Sequence, residues 1–414
     1  MKTSVRLAGA LALLALPVWA ADLADFSGAW SSTYGLLTLK QTGERVVGSY
    51  NSADNPSLIE GTVQGRRLAF TYREPNAAGA GWFDLAEDGA SFDGRWREDG
   101  DARWSRWTGE RATDMPGETA TPFAGIWNST FGPIRLHQTG ETVQGFYRMR
   151  DGRFAEVVGK AKGHVLDFTY DECGVKGTGQ FLLASGGAEF TGTWQATDDS
   201  KGEWTGMRCE SQPGRLWLIV LEARWEESLE EREYAYGAML KAYFARMPNV
   251  ECRHRFFDDA DSLLRICSEI PFLPEPAVVV IASHGSEDGI AVGDRTIDAG
   301  TLATCFARAD NVALLHFSSC LIMAGTVPSE ISKRLPAGIA FPMSGYATSV
   351  DWGASAASEF LYLDLVLARG LEPAEAMEKL VQLLPVAGDR APADSPFEPL
   401  GIRLVPAGKP SARK

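Results

Sequence analysis

The front half of this chain is written twice, and that duplication constrains the fold more than any other feature. Phe26-Ser-Gly-Ala-Trp30 returns as Phe123-Ala-Gly-Ile-Trp127, and Leu39-Lys-Gln-Thr-Gly-Glu44 as Leu136-His-Gln-Thr-Gly-Glu141. Leu68-Ala-Phe-Thr-Tyr72 matches Leu166-Asp-Phe-Thr-Tyr170, and Phe92-Asp-Gly-Arg-Trp96 matches Phe190-Thr-Gly-Thr-Trp194. Each copy is a series of short alternating runs split by Thr-Gly, Gln-Gly and Asp-Gly turns, which is the grammar of antiparallel hairpins. About eight strands per copy suit an up-and-down barrel, which closes on itself and leaves no sheet edge exposed. Trp30, Trp96, Trp107 and their second-copy equivalents fall at strand positions. They read as interior filling, with a ligand mouth as the alternative.

Cys173 and Cys209 occur in the second copy only; Pro75 and Ala112 hold the matching places in the first. A pair present together in one copy and absent together from the other reads as a disulfide, the alternative being two unrelated buried thiols. Export would permit the bridge. The first twenty residues support export: Lys2 and Arg6, an apolar stretch from Leu7 to Pro17, and Val18-Trp19-Ala20 before Ala21 form a signal segment. That stretch is too short to span a bilayer, and no later segment qualifies. The expected location is periplasmic or secreted. A net charge of −14 argues against a nucleic-acid partner. No C-x-x-C occurs among the six cysteines, so no metal or cofactor is expected.

From Arg215 the rhythm changes to strands alternating with helices, which argues for a mostly parallel sheet covered on both faces. Leu216–Leu221 is a continuous apolar strand, followed by an acidic helix expected over 226–246. Further strands are expected near 252–257 and 338–343. Helices are expected over 260–270, 301–309, 328–335 and 353–369, and a turn-rich excursion over 285–298. The expected layout is a signal segment over 1–20, barrels over 21–115 and 119–211, an α/β domain over 214–406 and a disordered tail over 407–414.

Two strands of this half end in reactive residues. Ala277-Val-Val-Val-Ile-Ala-Ser-His284-Gly285 delivers an imidazole followed by glycine, and Val312-Ala-Leu-Leu-His-Phe-Ser-Ser-Cys320 delivers a thiol. A thiol nucleophile, a proton carrier and backbone N–H groups able to face an oxyanion are the parts of thiol-based acyl transfer. The pair of motifs resembles the caspase-like cysteine peptidase superfamily, which includes metacaspases, legumains, gingipains, clostripain, separase and the CHAT domains. The resemblance covers about 216–369. It implies an exported endopeptidase with a Cys320/His284 dyad, an oxyanion hole from the Gly285 and Cys320 N–H groups, and a peptide or protein substrate. The barrels would then bind a ligand or protein partner, or regulate the enzyme.

Ser344-Gly-Tyr-Ala-Thr-Ser-Val-Asp-Trp352 looks like the CHAT segment that passes beside the substrate pocket, which implies Ser344, Gly345, Tyr346 and Asp351 as pocket residues. Ser318 stands where metacaspases carry an Asp and caspases a Gln, so the substrate residue is not legible. Glu287 and Asp288 are weaker acidic candidates. His316 reads as core, Cys305 as a packed thiol, and Cys252 with Cys267 as one pairing among several. The competing reading is a non-catalytic envelope binding protein with a degenerate caspase-like domain. An avidin-like small-ligand binder is a third.

Overall fold

The computed structural model describes residues 24–50, 57–74, 77–111, 122–184, 187–226 and 228–408. The expected signal segment and residues 409–414 of the expected tail lie outside the described residues, as do Pro75 and Ala112.

Strands β1 (Gly28–Ser32), β2 (Gly35–Thr42), β3 (Arg45–Tyr50), β4 (Ser57–Gln64), β5 (Arg67–Arg73), β6 (Ala78–Leu85), β7 (Ser91–Glu98) and β8 (Ser105–Arg111) close a barrel, β1 pairing with β8. The second copy repeats it with β9 (Gly125–Ser129), β10 (Gly132–Thr139), β11 (Thr142–Arg148), β12 (Phe154–Lys162), β13 (Val165–Glu172), β14 (Val175–Leu183), β15 (Glu189–Ala196) and β16 (Lys201–Arg208). Alternation decides which side chains enter. In β5, Leu68, Phe70 and Tyr72 are buried while the residues between them are exposed.

Trp30, Trp107, Trp127 and Trp204 are at most 2% exposed, so aromatic rings fill both interiors. Glycine makes room for them: a Cβ at Gly81 would lie 2.5 Å from the Phe70 ring, and one at Gly179 would lie 2.3 Å from Phe168. One end of each barrel is plugged alike. The Arg111 guanidinium covers Trp30 at 4.2 Å and donates to the Ser27 and Asp25 carbonyls. Arg208 covers Trp127 at 4.1 Å and donates to the Ala124 and Pro122 carbonyls.

The α/β region holds β17 (Leu216–Ala223), α1 (Tyr236–Phe244), β18 (Val250–Phe257), α2 (Ala260–Cys267), β19 (Ala277–Ala282), β20 (His284–Ser286), β21 (Gly289–Val292), β22 (Arg295–Asp298), α3 (Ala299–Phe306) and β23 (Val312–Ser318). After them come α4 (Val327–Arg334), β24 (Met343–Tyr346), α5 (Trp352–Leu367), α6 (Pro373–Leu383) and β25 (Ile402–Val405). The main sheet runs β18-β17-β19-β23-β24-β25, parallel except for β25. Its two faces are separate cores. Val279 and Ile281 pack with Leu263, Phe306 and Ile331 of α2, α3 and α4. Val278 and Val280 pack with Leu240, Tyr362 and Leu380 of α1, α5 and α6. Burial on both faces is why these strands are continuous apolar runs.

Three expectations change. The acidic helix begins only at Tyr236, and residues 228–235 before it form a loop. Leu229 is fully exposed there, and the Glu226 carboxylate accepts the Tyr234 N–H. Four glutamates and few apolar side chains between Glu226 and Tyr234 gave that stretch no continuous helical face to bury. The excursion over 285–298 is a small sheet, β20-β21-β22. The strand expected near 338–343 begins at Met343.

The second barrel, apart from residues 182–191, and the α/β region belong to one compact unit, and the strands of the first barrel to another. Phe146 meets Phe272 at 5.5 Å, and Arg308 stacks over Phe146 and Phe154 while pairing with Glu156. Arg135 pairs with Asp310 and donates to the Pro271 carbonyl. The matching residues of the first copy are Thr38 for Arg135, Ser49 for Phe146 and Leu58 for Glu156, so this face is particular to the second copy. The contacts from the α/β side precede β19 and β23, at the amino edge of the sheet.

Candidate active site

The carboxyl edge carries the reactive residues. β19 and β23 are neighbours, with Ala282 opposite Ser318 as the last pair, and His284 and Cys320 each follow two residues later. The Ser283 and Ser319 hydroxyls lie 3.1 Å apart, and the Ser283 N–H donates to the Ser318 carbonyl at 3.3 Å. A Cβ at Gly285 would lie 2.5 Å from the Cys320 carbonyl oxygen and 2.9 Å from Ser319 Cβ. Only glycine lets the two chain ends approach this closely.

Cys320 is half-buried, and its sulfur accepts the Val350 N–H at 3.4 Å. The next residue, Leu321, has φ 63°, a left-handed conformation that is strained for a side chain branched at Cγ. It is held by N–H donation from Leu321 to the Thr348 carbonyl and from Met323 to the Tyr346 carbonyl. The chain therefore turns sharply just past the thiol. His284 is exposed, and its ring meets the Trp225 indole at 4.9 Å with the planes at 81°.

Glu222, at the end of β17, was not legible as part of this site. It is fully buried, with its carboxylate accepting from Trp225 Nε1 at 2.7 Å and from the Tyr236 and Gly237 N–H groups at 2.8 Å. His254 Nε2 lies 2.8 Å from Oε2. Burial alone would push this carboxyl up; His254 and the N–H donors outweigh it and hold the group below the usual carboxylate range. The one signal in the sequence was a lone acid closing the apolar run Leu216–Leu221. Trp225, Tyr234 and Trp352 continue from Glu222 as an aromatic wall, with centroids 5.9 and 5.5 Å apart.

The pocket residues implied by the resemblance are not gathered at an open pocket. Ser344, Gly345 and Tyr346 are buried in β24. Ser344 Oγ lies 2.8 Å from His316 Nδ1, and Tyr346 donates to the Ser355 carbonyl. Burial, followed by Glu359, pushes the Tyr346 hydroxyl well up. His316 is core, as expected, with Nε2 3.4 Å from the Glu359 carboxylate. Asp351 is exposed at the rim, directly after Val350, but one of its oxygens caps α5 by accepting the Ala354 N–H. Ser318 is half-buried, and Glu287 and Asp288 are exposed on the β20–β21 turn.

All six cysteines are free thiols, and the Cys173–Cys209 bridge is a correction. Cys173 follows β13 and Cys209 follows β16; the antiparallel ladder through β9 runs these strands in opposite directions. The two thiols therefore sit at opposite ends of the barrel, about 20 Å or more apart at the usual rise per residue, far beyond disulfide reach. Cys267 neighbours buried Cys305 rather than Cys252. Burial, then Cys305, pushes its thiol well up. Burial pushes Cys252 up to about 11. Among the described residues no group of three or more His, Cys, Asp or Glu side chains could hold a metal ion, and no helix is long and apolar enough to cross a membrane.

No family model matches the chain, and no curated protein matches it. Among solved structures it is similar to a double mutant of the vaccine antigen transferrin-binding protein B from Haemophilus parasuis, at 9% identity and a TM-score of 0.20, over 43% of this chain and 54% of that one. It is also similar to the DNA polymerase sliding clamp of Caulobacter crescentus, at 10% identity and a TM-score of 0.17, over 52% of this chain and 66% of that one. The chain spans about half the length of the first of these. Likeness at this level carries no functional argument.

Proposed function

We propose that this chain is an exported cysteine endopeptidase whose barrels serve binding or regulation. The observation that supports the reading is that two adjacent parallel strands, β19 and β23, have their last paired residues, Ala282 and Ser318, each two residues before His284 and Cys320 at the carboxyl edge. Open α/β sheets put their chemistry at that edge. The Cys320 thiolate attacks the scissile carbonyl, forming an S–C bond while the carbonyl electrons move to oxygen. The Gly285 and Cys320 N–H groups face that oxygen. As the C–N bond breaks, the His284 imidazolium gives its proton to the departing amine, and water then hydrolyses the thioester. The second barrel contacts the amino edge of the sheet and leaves this chemistry uncovered.

A thiol-directed peptidyl probe tests the proposal. Labelling is expected at Cys320 and lost in Cys320→Ala. Undiminished labelling in that variant, or labelling confined to Cys173, refutes the assignment and favours a non-catalytic envelope binding protein.

A further inference from the structure

Resting on that reading, we infer that Trp225 is the positioning residue for His284, anchored for that task by buried Glu222. Among the described residues no side chain hydrogen-bonds the His284 ring, and its exposure would leave it free to sample several rotamers. The Trp225 indole closes one side of that space, edge to face with the imidazole.

The indole is itself fixed. Its N–H is bound to Glu222 Oε1, and Tyr234 meets it from another side at 5.9 Å and 89°. Glu222 cannot follow a moving indole, because the first N–H groups of α1 hold both of its oxygens. The anchor is also placed by the sheet: Glu222 pairs with Ala282, two residues before His284, on the neighbouring parallel strand. A rigid carboxylate on one strand thus sets a ring on the next, through an aromatic side chain in place of the usual hydrogen-bonding acid.

Loss of such a wall costs orientation rather than substrate affinity. Trp225→Leu should lower kcat roughly ten- to hundred-fold with KM little changed. Trp225→Phe keeps a ring but loses the N–H anchor, and should fall between.

The test uses the full chain and needs no peptide: the rate of Cys320 alkylation by iodoacetamide against pH, for wild type, His284→Ala, Trp225→Phe and Trp225→Leu. The expected result is a profile changed by His284→Ala, changed in the same direction by Trp225→Leu, and partly restored by Trp225→Phe. A folded Trp225→Leu variant that overlays the wild type while His284→Ala departs from it overturns the inference and leaves the dyad standing. A His284→Ala profile identical to wild type instead removes the dyad. Should Trp225→Leu fail to fold, nuclear Overhauser contacts between the His284 and Trp225 rings in histidine-labelled wild type decide: their presence supports the placement and their absence refutes it.

Discussion

Gly285→Ala is the sharpest perturbation of this fold, because one added methyl group meets backbone rather than flexible side chain. Its Cβ would lie 2.5 Å from the Cys320 carbonyl oxygen and 2.9 Å from Ser319 Cβ. An ordinary carbon–oxygen contact is about 3.3 Å, so the two chain ends must part by roughly 0.8 Å. Overpacking of this kind costs about 1–3 kcal/mol. At about 2–4 °C per kcal/mol, thermal unfolding should fall by roughly 2–12 °C. The effect on chemistry should be larger than that on stability, because β20 carries His284 away from Cys320, and a displacement near 1 Å costs about a hundredfold in rate. Calorimetry and the Cys320 alkylation profile read the two effects separately. A Gly285→Ala protein with wild-type melting and wild-type alkylation would contradict the close approach of Gly285 to the Cys320 backbone on which the site rests.

Gly353→Ala gives the opposite sign nearby: its Cβ would sit 3.4 Å from Asp351 Oδ1 in the first turn of α5, so helix propensity should raise stability by up to about 1 kcal/mol in chemical denaturation. Glu222 gives an acid signature. Its carboxyl is held low in the folded state, so the stability it contributes is present above the unfolded value of about 4.3 and is lost as pH falls through the folded value. Urea titrations should therefore show wild type losing stability below about pH 4 and Glu222→Gln losing less across the same window; parallel losses would refute the pairing. Alkylation mapping without reductant should modify Cys173 in the native protein and protect Cys267 and Cys305; a Cys173–Cys209 linked fragment would overturn the antiparallel placement of those ends.

Much of the architecture is legible because burial writes itself into local patterns. The alternation in β5 and the Thr-Gly turns announce hairpins, and the apolar blocks of β19 and β23 announce strands covered on both faces. The Cys320 and His284 placement follows from where those blocks stop. The rest depended on long-range facts. Strands β20, β21 and β22 have three or four residues each, too few for a period to register. Strand β25 pairs antiparallel with β24 only after the intervening helices return the chain to the sheet edge. The disulfide expectation failed because the duplication says which residues differ but not at which end of a barrel they lie. Ser344 and Tyr346 follow a resemblance in sequence, yet β24 turns both into the core, against His316 and α5. Glu222 meets the Tyr236 and Gly237 N–H groups, and Trp225 meets the His284 ring, only through the path of the chain from β17 to α1 and on to β19, which no spacing rule encodes.

Mass spectrometry of new peptide termini, after incubating an unbiased peptide mixture with wild type, Cys320→Ala and His284→Ala, tests the central claim most directly. Cleavage is expected from wild type, none from Cys320→Ala, and a large loss in His284→Ala. Equal cleavage by wild type and Cys320→Ala, or no cleavage by a wild-type protein whose Cys320 is free and readily alkylated, would contradict that claim.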